Sequence, residues 1–112
     1  MTALETWTAV CAVTDLIPNR GAAALLENNE QVAIFRTGDD AVYAIANIDP
    51  FSGAAVLSRG LVGDLAGVPV VASPMHKQHF DLRTGVCVDD PTVSVTVYPV
   101  RVEDGTILVG RP

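Results

Sequence analysis

Short apolar runs, broken roughly every 8–12 positions by Gly, Pro, Asn or Asp, run through the chain and predict an all-β domain. Thr6 to Val13 is apolar and β-branched and reads as a first strand, ended by the Pro18-Asn19-Arg20-Gly21 stretch. Ala22 to Leu26 and Gln31 to Arg36 follow as two strands joined by a polar turn over Glu27-Asn28-Asn29-Glu30, with Val32 and Ile34 on one face of the second. Ala and Leu would also suit the start of a helix at Ala22 to Leu26, but the segment is short and bracketed by turn residues. Gly38-Asp39-Asp40 turns the chain into Ala41 to Ala46, where Val42 and Ala44 share one face and Tyr43 and Ile45 the other.

Asn47 to Gly60 breaks the rhythm, because Pro50 and Gly53 prevent a continuous strand. Its Phe51, Val56 and Leu57 imply a packed loop, with one helical turn over Ala54 to Leu57. Leu61 to Leu65 and Val68 to Ala72 form a hairpin about Ala66-Gly67, and Pro69 near the start of the second strand implies a sheet edge, where a missing N–H costs little. The hairpin delivers the chain to Ser73-Pro74-Met75-His76-Lys77, a tight loop before a strand over Gln78 to Leu82. Strand, loop and strand make a rigid fingertip. A Thr84-Gly85 turn leads into a further strand, Val93 to Val102 is strongly β-branched, and Asp104-Gly105 closes a last hairpin with Thr106 to Val109. About ten short strands in this pattern describe antiparallel sheets in a sandwich or partly open barrel.

Composition narrows the picture. A chain of 112 residues is expected to be one domain spanning 1–112, able to bury about two thirds of its unfolded surface without a disulfide or metal. Hydrophobic residues make up 49% of it but aromatics only 5%, so Val, Ala, Leu and Ile must build the core. With 13 acidic and 7 basic residues the formal charge is −6, which argues against a nucleic-acid partner. No apolar run approaches a membrane span and the N-terminus has no basic stretch followed by an apolar one, so the cytoplasm is the expected compartment. Cys11 and Cys87 stand far apart and read as two small buried hydrophobes in a reducing compartment, a disulfide being the other reading.

The fingertip resembles the second ligand loop of Rieske iron–sulfur domains, which is Cys-Pro-x-His followed by an aromatic residue, a short strand and a Thr-Gly turn. Pro74, His76, Phe80-Asp81-Leu82 and Thr84-Gly85 match, and Ser73 stands where the cysteine belongs. The other ligand loop of those domains supplies Cys-x-His, and Asn47 to Gly60 contains neither residue. Three of four ligands are absent, and a serine hydroxyl, un-ionised near neutral pH, does not replace a thiolate. Asn47-Ile48-Asp49-Pro50-Phe51, the Leu57-Ser58-Arg59-Gly60 continuation and Ser73 to Phe80 are similar to the small subunits of assimilatory NAD(P)H-dependent nitrite reductases, and the likeness extends from Trp7 to Val109. It implies a three-sheet Rieske-like fold and an accessory subunit with no cofactor of its own. It also implies a large-subunit partner that carries FAD, an iron–sulfur cluster and sirohaem and reduces nitrite to ammonia.

Among residues able to do chemistry, His76 has only His79 and Asp81 nearby, and that spacing, running from a loop into a strand, gives no expected metal site. Ser73 lacks a Gly-x-Ser-x-Gly frame and reads as a small residue in a lost ligand's place. The glycines at 53, 60, 63, 67 and 85 are scattered at turns and make no phosphate cradle, so no catalytic or cofactor-binding residue is assigned. If the two former ligand loops lie side by side, Asp49, Pro50, Phe51, Ser73, Pro74, Met75, His76 and Lys77 form the expected partner interface, with Phe51 and Met75 as apolar anchors. The alternative has Phe51 and Met75 packed beneath the loops in the cluster's place. Two other functions stand open at this point, a Rieske-type ferredoxin electron carrier and a stand-alone Rieske-like binding or regulatory domain.

Overall fold

The computed structural model describes residues 7–26, 29–75 and 77–111, so Thr6 and the Glu27-Asn28 part of the first turn lie outside the described residues. Among those described, ten strands form three antiparallel sheets. The central sheet runs β2 (Arg20–Leu25), β3 (Gln31–Arg36), β4 (Val42–Ala46) and β8 (Val97–Tyr98). A second sheet has the order β1 (Thr8–Ala12), β10 (Thr106–Val109), β9 (Val100–Glu103), and the third is β5 (Leu61–Leu65), β6 (Val68–Ala72), β7 (His79–Asp81). No helix among the described residues is long and apolar enough to cross a membrane.

The two-residue alternation of strand side chains explains how the sheets stack. On one face of β3 and β4, Val32, Ile34 and Ala44 pack with Ile107 and Val109 of β10 and with Leu16, Leu26 and Tyr98. On the opposite face, Ala33, Phe35 and Ile45 pack with Val71 of β6, Phe80 of β7, Leu57, Leu82 and Cys87. The run Val32 to Phe35 is therefore apolar at every position, because both faces of β3 are covered. Each large side chain buried this way contributes about 1.5–3 kcal/mol. Both cysteines are free thiols. Cys87 belongs to the second cluster, and Cys11 is half-buried, where burial first and the Asp15 charge second push its thiol pKa up.

Several local expectations are corrected. The first strand stops at Ala12 and Val13–Asp15 form a 3₁₀ turn, while the helical turn of the long loop lies at Leu57–Arg59, leaving Ala55 to bridge Ile48. Pro69 is in β6, the middle strand of its sheet, and not at an edge. It is tolerated because β7 pairs only with Val70, Val71 and Ala72, so Pro69 lies past the end of that ladder, and its carbonyl still accepts the Leu82 N–H at 2.9 Å. The stretch 93–102 is not one strand. Pro99 divides it, giving β8 to the central sheet and β9 to the second. Between Gly85 and β8 the described residues form no strand, only the bridges Phe80 to Cys87 and Val86 to Ser94.

Gly85 holds this last region together. Its φ is +79°, the left-handed region, and a Cβ there would sit 2.1 Å from the Val95 carbonyl oxygen. The Gly85 carbonyl accepts the Val95 N–H at 2.8 Å, which draws the β-branched 93–97 stretch against the turn. Gly85→Ala is expected to destabilise the fold by roughly 2–4 kcal/mol, since strain and overlap add. The measurement is the denaturant midpoint, which should fall without a change in slope.

Candidate functional site

Two loops meet at one end of the molecule, each held by its own backbone bonds. The first leaves β4 at Asn47, whose side chain is buried. Asn47 N–H donates to the Gln31 carbonyl (3.2 Å), and Asn47 receives the Leu57 N–H on its carbonyl (3.1 Å) and the Ser58 N–H on its side-chain oxygen (2.8 Å). Beyond it, Asp49 N–H donates to the Ala54 carbonyl (2.8 Å) and Gly53 N–H to the Asp49 carbonyl (2.7 Å), so the loop turns back on itself. The second loop is shorter. Lys77 N–H donates to the Ser73 carbonyl and Ser73 N–H to the Gln78 carbonyl, both at 2.9 Å.

Asp49-Pro50-Phe51 and Ser73-Pro74-Met75 are built alike. In each, a polar side chain accepts the N–H two residues on across a proline whose φ is preset for the turn. Asp49 Oδ1 accepts the Phe51 N–H at 2.8 Å, and Ser73 Oγ accepts the Met75 N–H at 3.2 Å. The two turns are then joined, because the Ser73 hydroxyl donates to Asp49 Oδ2. Both side chains are buried, at 0% and 1% exposure.

Asp49 and Ser73 therefore do not face outward as the interface reading placed them. A carboxylate and a hydroxyl this deep need partners, and they find one another. The outward surface of the two loops comes from Pro50, Phe51, Pro74, Met75 and Lys77, with exposed Ile48 alongside. Phe51 does two things at once. Its ring lies 6.2 Å from that of fully buried Phe80, tilted by 50°, yet it remains 36% exposed. Met75 is 52% exposed. His76 lies outside the described residues.

Of the residues near His76 weighed and rejected as metal ligands, His79 turns to Asp89 and Asp81 to Arg83. Asp89 Oδ2 accepts the His79 backbone N–H at 2.6 Å and lies 3.2 Å from His79 Nδ1. Asp81 Oδ1 accepts the Arg83 backbone N–H at 2.8 Å, and the guanidinium lies 3.3 Å from the carboxylate. Among the described residues no three His, Cys, Asp or Glu side chains gather to hold a metal ion. Asn47 and Asp89 are the supporting residues that sequence reasoning passed over. Asn47 had a visible signal, a polar residue immediately after an apolar strand, and Asp89 had none. A polar groove of about 650 Å³ between the β3–β4 turn and the β5–β6 hairpin, lined by Asp39, Tyr43, Asp64 and Arg83 among others, shares no residue with the two loops.

Three stacked antiparallel sheets with paired loops at one end define a Rieske-like domain, and residues 6–110 match the family of Rieske-like [2Fe-2S] domains. The nitrite reductase (NADH) small subunit of Escherichia coli K12 is 47% identical over 105 residues, covering 93% of this chain and 96% of that one. The crystal structure of a Mycobacterium tuberculosis protein assigned as an NADH-dependent nitrite reductase small subunit shares the fold at a TM-score of 0.94 and 53% identity, covering 98% of both chains. The chain belongs to the family of nitrite reductase small subunits, accessory parts of an oxidoreductase complex. A nitrite reductase [NAD(P)H] large subunit of Klebsiella oxytoca is also 44% identical over 105 residues, which are 94% of this chain and 11% of that protein.

The donor set of the two loops does not fit the cluster after which the fold family is named. The side chains that join the two loops are the Asp49 carboxylate and the Ser73 hydroxyl rather than thiolates, Phe51 falls two residues after Asp49 in the Cys-x-His spacing, and a phenyl ring cannot ligate iron. Neither Cys11 nor Cys87 lies in these loops.

The acid side of the stability profile should report the support beside the second loop. The His79 backbone N–H above all holds the Asp89 carboxyl below its usual range, against the opposing effect of burial and with the imidazole adding to the lowering. A carboxyl lowered in the folded state adds stability that is full above its unfolded value and is lost as the pH falls through the folded value. Asp89→Asn is expected to lower the melting midpoint at neutral pH, the difference narrowing as the pH falls below about 4. Melting curves of both proteins across this range are the check, and a difference that persists unchanged at the acid end would contradict the assignment.

Proposed function

We propose that this chain, one Rieske-like domain throughout, is the accessory small subunit of a cytoplasmic NAD(P)H-dependent nitrite reductase, and that it docks through the Asp49–Phe51 and Ser73–Lys77 loops to the large subunit. The observation that carries the role is the end-to-end likeness to nitrite reductase small subunits. Docking draws support from the Klebsiella oxytoca protein, in which a segment matching nearly the whole of this chain is part of a polypeptide named as the large subunit. The fused arrangement keeps both parts at high mutual concentration, as a working contact between them requires.

On this reading the chain carries no iron–sulfur cluster and is not catalytic alone. Electron transfer and nitrite reduction to ammonia belong to FAD, an iron–sulfur cluster and sirohaem on the large subunit, and no step of that chemistry passes through Asp49 or Ser73. The role of this chain is to present a shaped surface. Its exposed centre is apolar, Phe51 and Met75, and its charge is supplied by Lys77, the pattern of an interface with a dry middle and a polar rim.

Mixing the purified chain with the cognate large subunit should give a complex that co-elutes, with nitrite turnover raised over the large subunit alone. Phe51→Ala combined with Met75→Ala should weaken binding by roughly a hundredfold while leaving the melting midpoint within a few degrees, because both side chains are partly exposed. Iron analysis of the isolated, tag-free chain should give far less than one iron per chain. Two irons per chain with visible absorbance would replace this reading with that of a ferredoxin electron carrier.

A further inference from the structure

Resting on the docking reading above, we infer that Asp49 and Ser73 are positioning residues, whose buried hydrogen bond sets the placement of Phe51 and Met75 for an apolar recess on the large subunit. The connectivity is what carries this. The Phe51 N–H ends on Asp49 Oδ1, the Ser73 hydroxyl on Asp49 Oδ2, and the Met75 N–H on Ser73 Oγ. The backbones of the two outward apolar residues are thus the two ends of one run of hydrogen bonds, which crosses between loops 24 residues apart in sequence. The Ser73–Asp49 bond in the middle of that run is buried, so water does not compete for it and its low-dielectric surroundings strengthen it, while the two amide bonds at its ends are half-buried.

The second loop also has a reason to move if the tie is cut. Lys77 sits at φ 63°, a region costly for a lysine. Four other left-handed non-glycine residues, Asn19, Asn29, Asp40 and Asp104, are of types that tolerate it, and Ala66 is in the two-residue hairpin turn between β5 and β6. The cost at Lys77, inside a five-residue turn, is held by what the turn's ends gain, and Ser73 is one of those ends. Releasing its hydroxyl lets the turn relax and carries Met75 away from Phe51.

The partner this fits is a protein surface with an apolar recess that takes a phenyl ring and a thioether together, and with acidic groups at its rim opposite Lys77, the chain's one lysine. Anchors already in place do not have to be ordered on binding, which is where the tie adds affinity.

The test compares Ser73→Ala, Ser73→Thr and the Phe51→Ala/Met75→Ala pair, in the full chain, by titration against the cognate large subunit and by amide hydrogen exchange of the free chain. Ser73→Ala should bind at least about tenfold more weakly. It should also exchange the Phe51 and Met75 amides at least about tenfold faster, with the amides of β3 and β4 unchanged, and Ser73→Thr, which keeps the hydroxyl, should recover both. If Ser73→Ala does not fold, Ser73→Cys, of similar size but only a weak donor, is measured in its place with the same expectation. Wild-type affinity in Ser73→Ala alongside lost affinity in the Phe51/Met75 pair overturns the positioning role and leaves docking intact. Wild-type affinity in the pair overturns the docking reading and this inference with it.

Discussion

Covering β3 and β4 on both faces is the constraint from which the rest of the architecture follows. A strand reading Val-Ala-Ile-Phe cannot show either face to water, so one sheet must lie over Val32 and Ile34 and another over Ala33 and Phe35. The second sheet meets the first requirement with Ile107 and Val109, and the third meets the other with Val71 and Phe80. Once the third sheet is seated there, β6 and β7 are held at a set height against β4. The loop that leaves β4 at Asn47 and the loop that joins β6 to β7 then have to end side by side.

That convergence produces a site of a particular kind. Two polar side chains, one from each loop, are forced into an interior that offers them little besides each other and the amides of their own turns. The fold family is named for loops tied by metal, with thiolates and imidazoles on two irons. Here a carboxylate and a hydroxyl make the connection, and the phenyl ring of Phe51 takes up volume against Phe80. The arrangement suits presentation of a surface better than chemistry at one, since the two side chains that make the tie are buried and bonded to each other.

How much of this could be read beforehand differed by element, for physical reasons. The alternation in Ala41 to Ala46 and the Ala66-Gly67 hairpin were legible because strand period and turn chemistry are local. The stretch 93–102 misled because β-branched content reports what a strand would tolerate, whereas pairing depends on what lies opposite. Val97 and Tyr98 have β4 and Val100 to Glu103 have β10, but the residues before them have a bridge at Ser94, the Gly85 carbonyl at Val95 and one bond from the Ala46 N–H at Thr96. Pro69 misled because a central strand can still hold a proline where its neighbour runs out. At the site, the loops and their missing ligands were visible in the residues, but the bond between Asp49 and Ser73 was not. No short-range pattern announces a contact between positions so far apart, and the only trace of it was the shared spelling of a polar residue, a proline and an apolar residue in both loops.

Pro99 has a mechanical consequence. One residue separates the Ala44–Tyr98 pairing of the central sheet from the Val109–Val100 pairing of its neighbour, and the Gly110 N–H is bonded to the Pro99 carbonyl at 2.9 Å. Shear between those two layers cannot be taken up by slack chain, so they are bound to melt as one block. The third sheet is different, entered through the long 47–60 loop and left through irregular backbone after Leu82, with spare length at both ends. Its hold on the central sheet is the packing of Val71 and Phe80, not a one-residue link, and it carries one half of the tip.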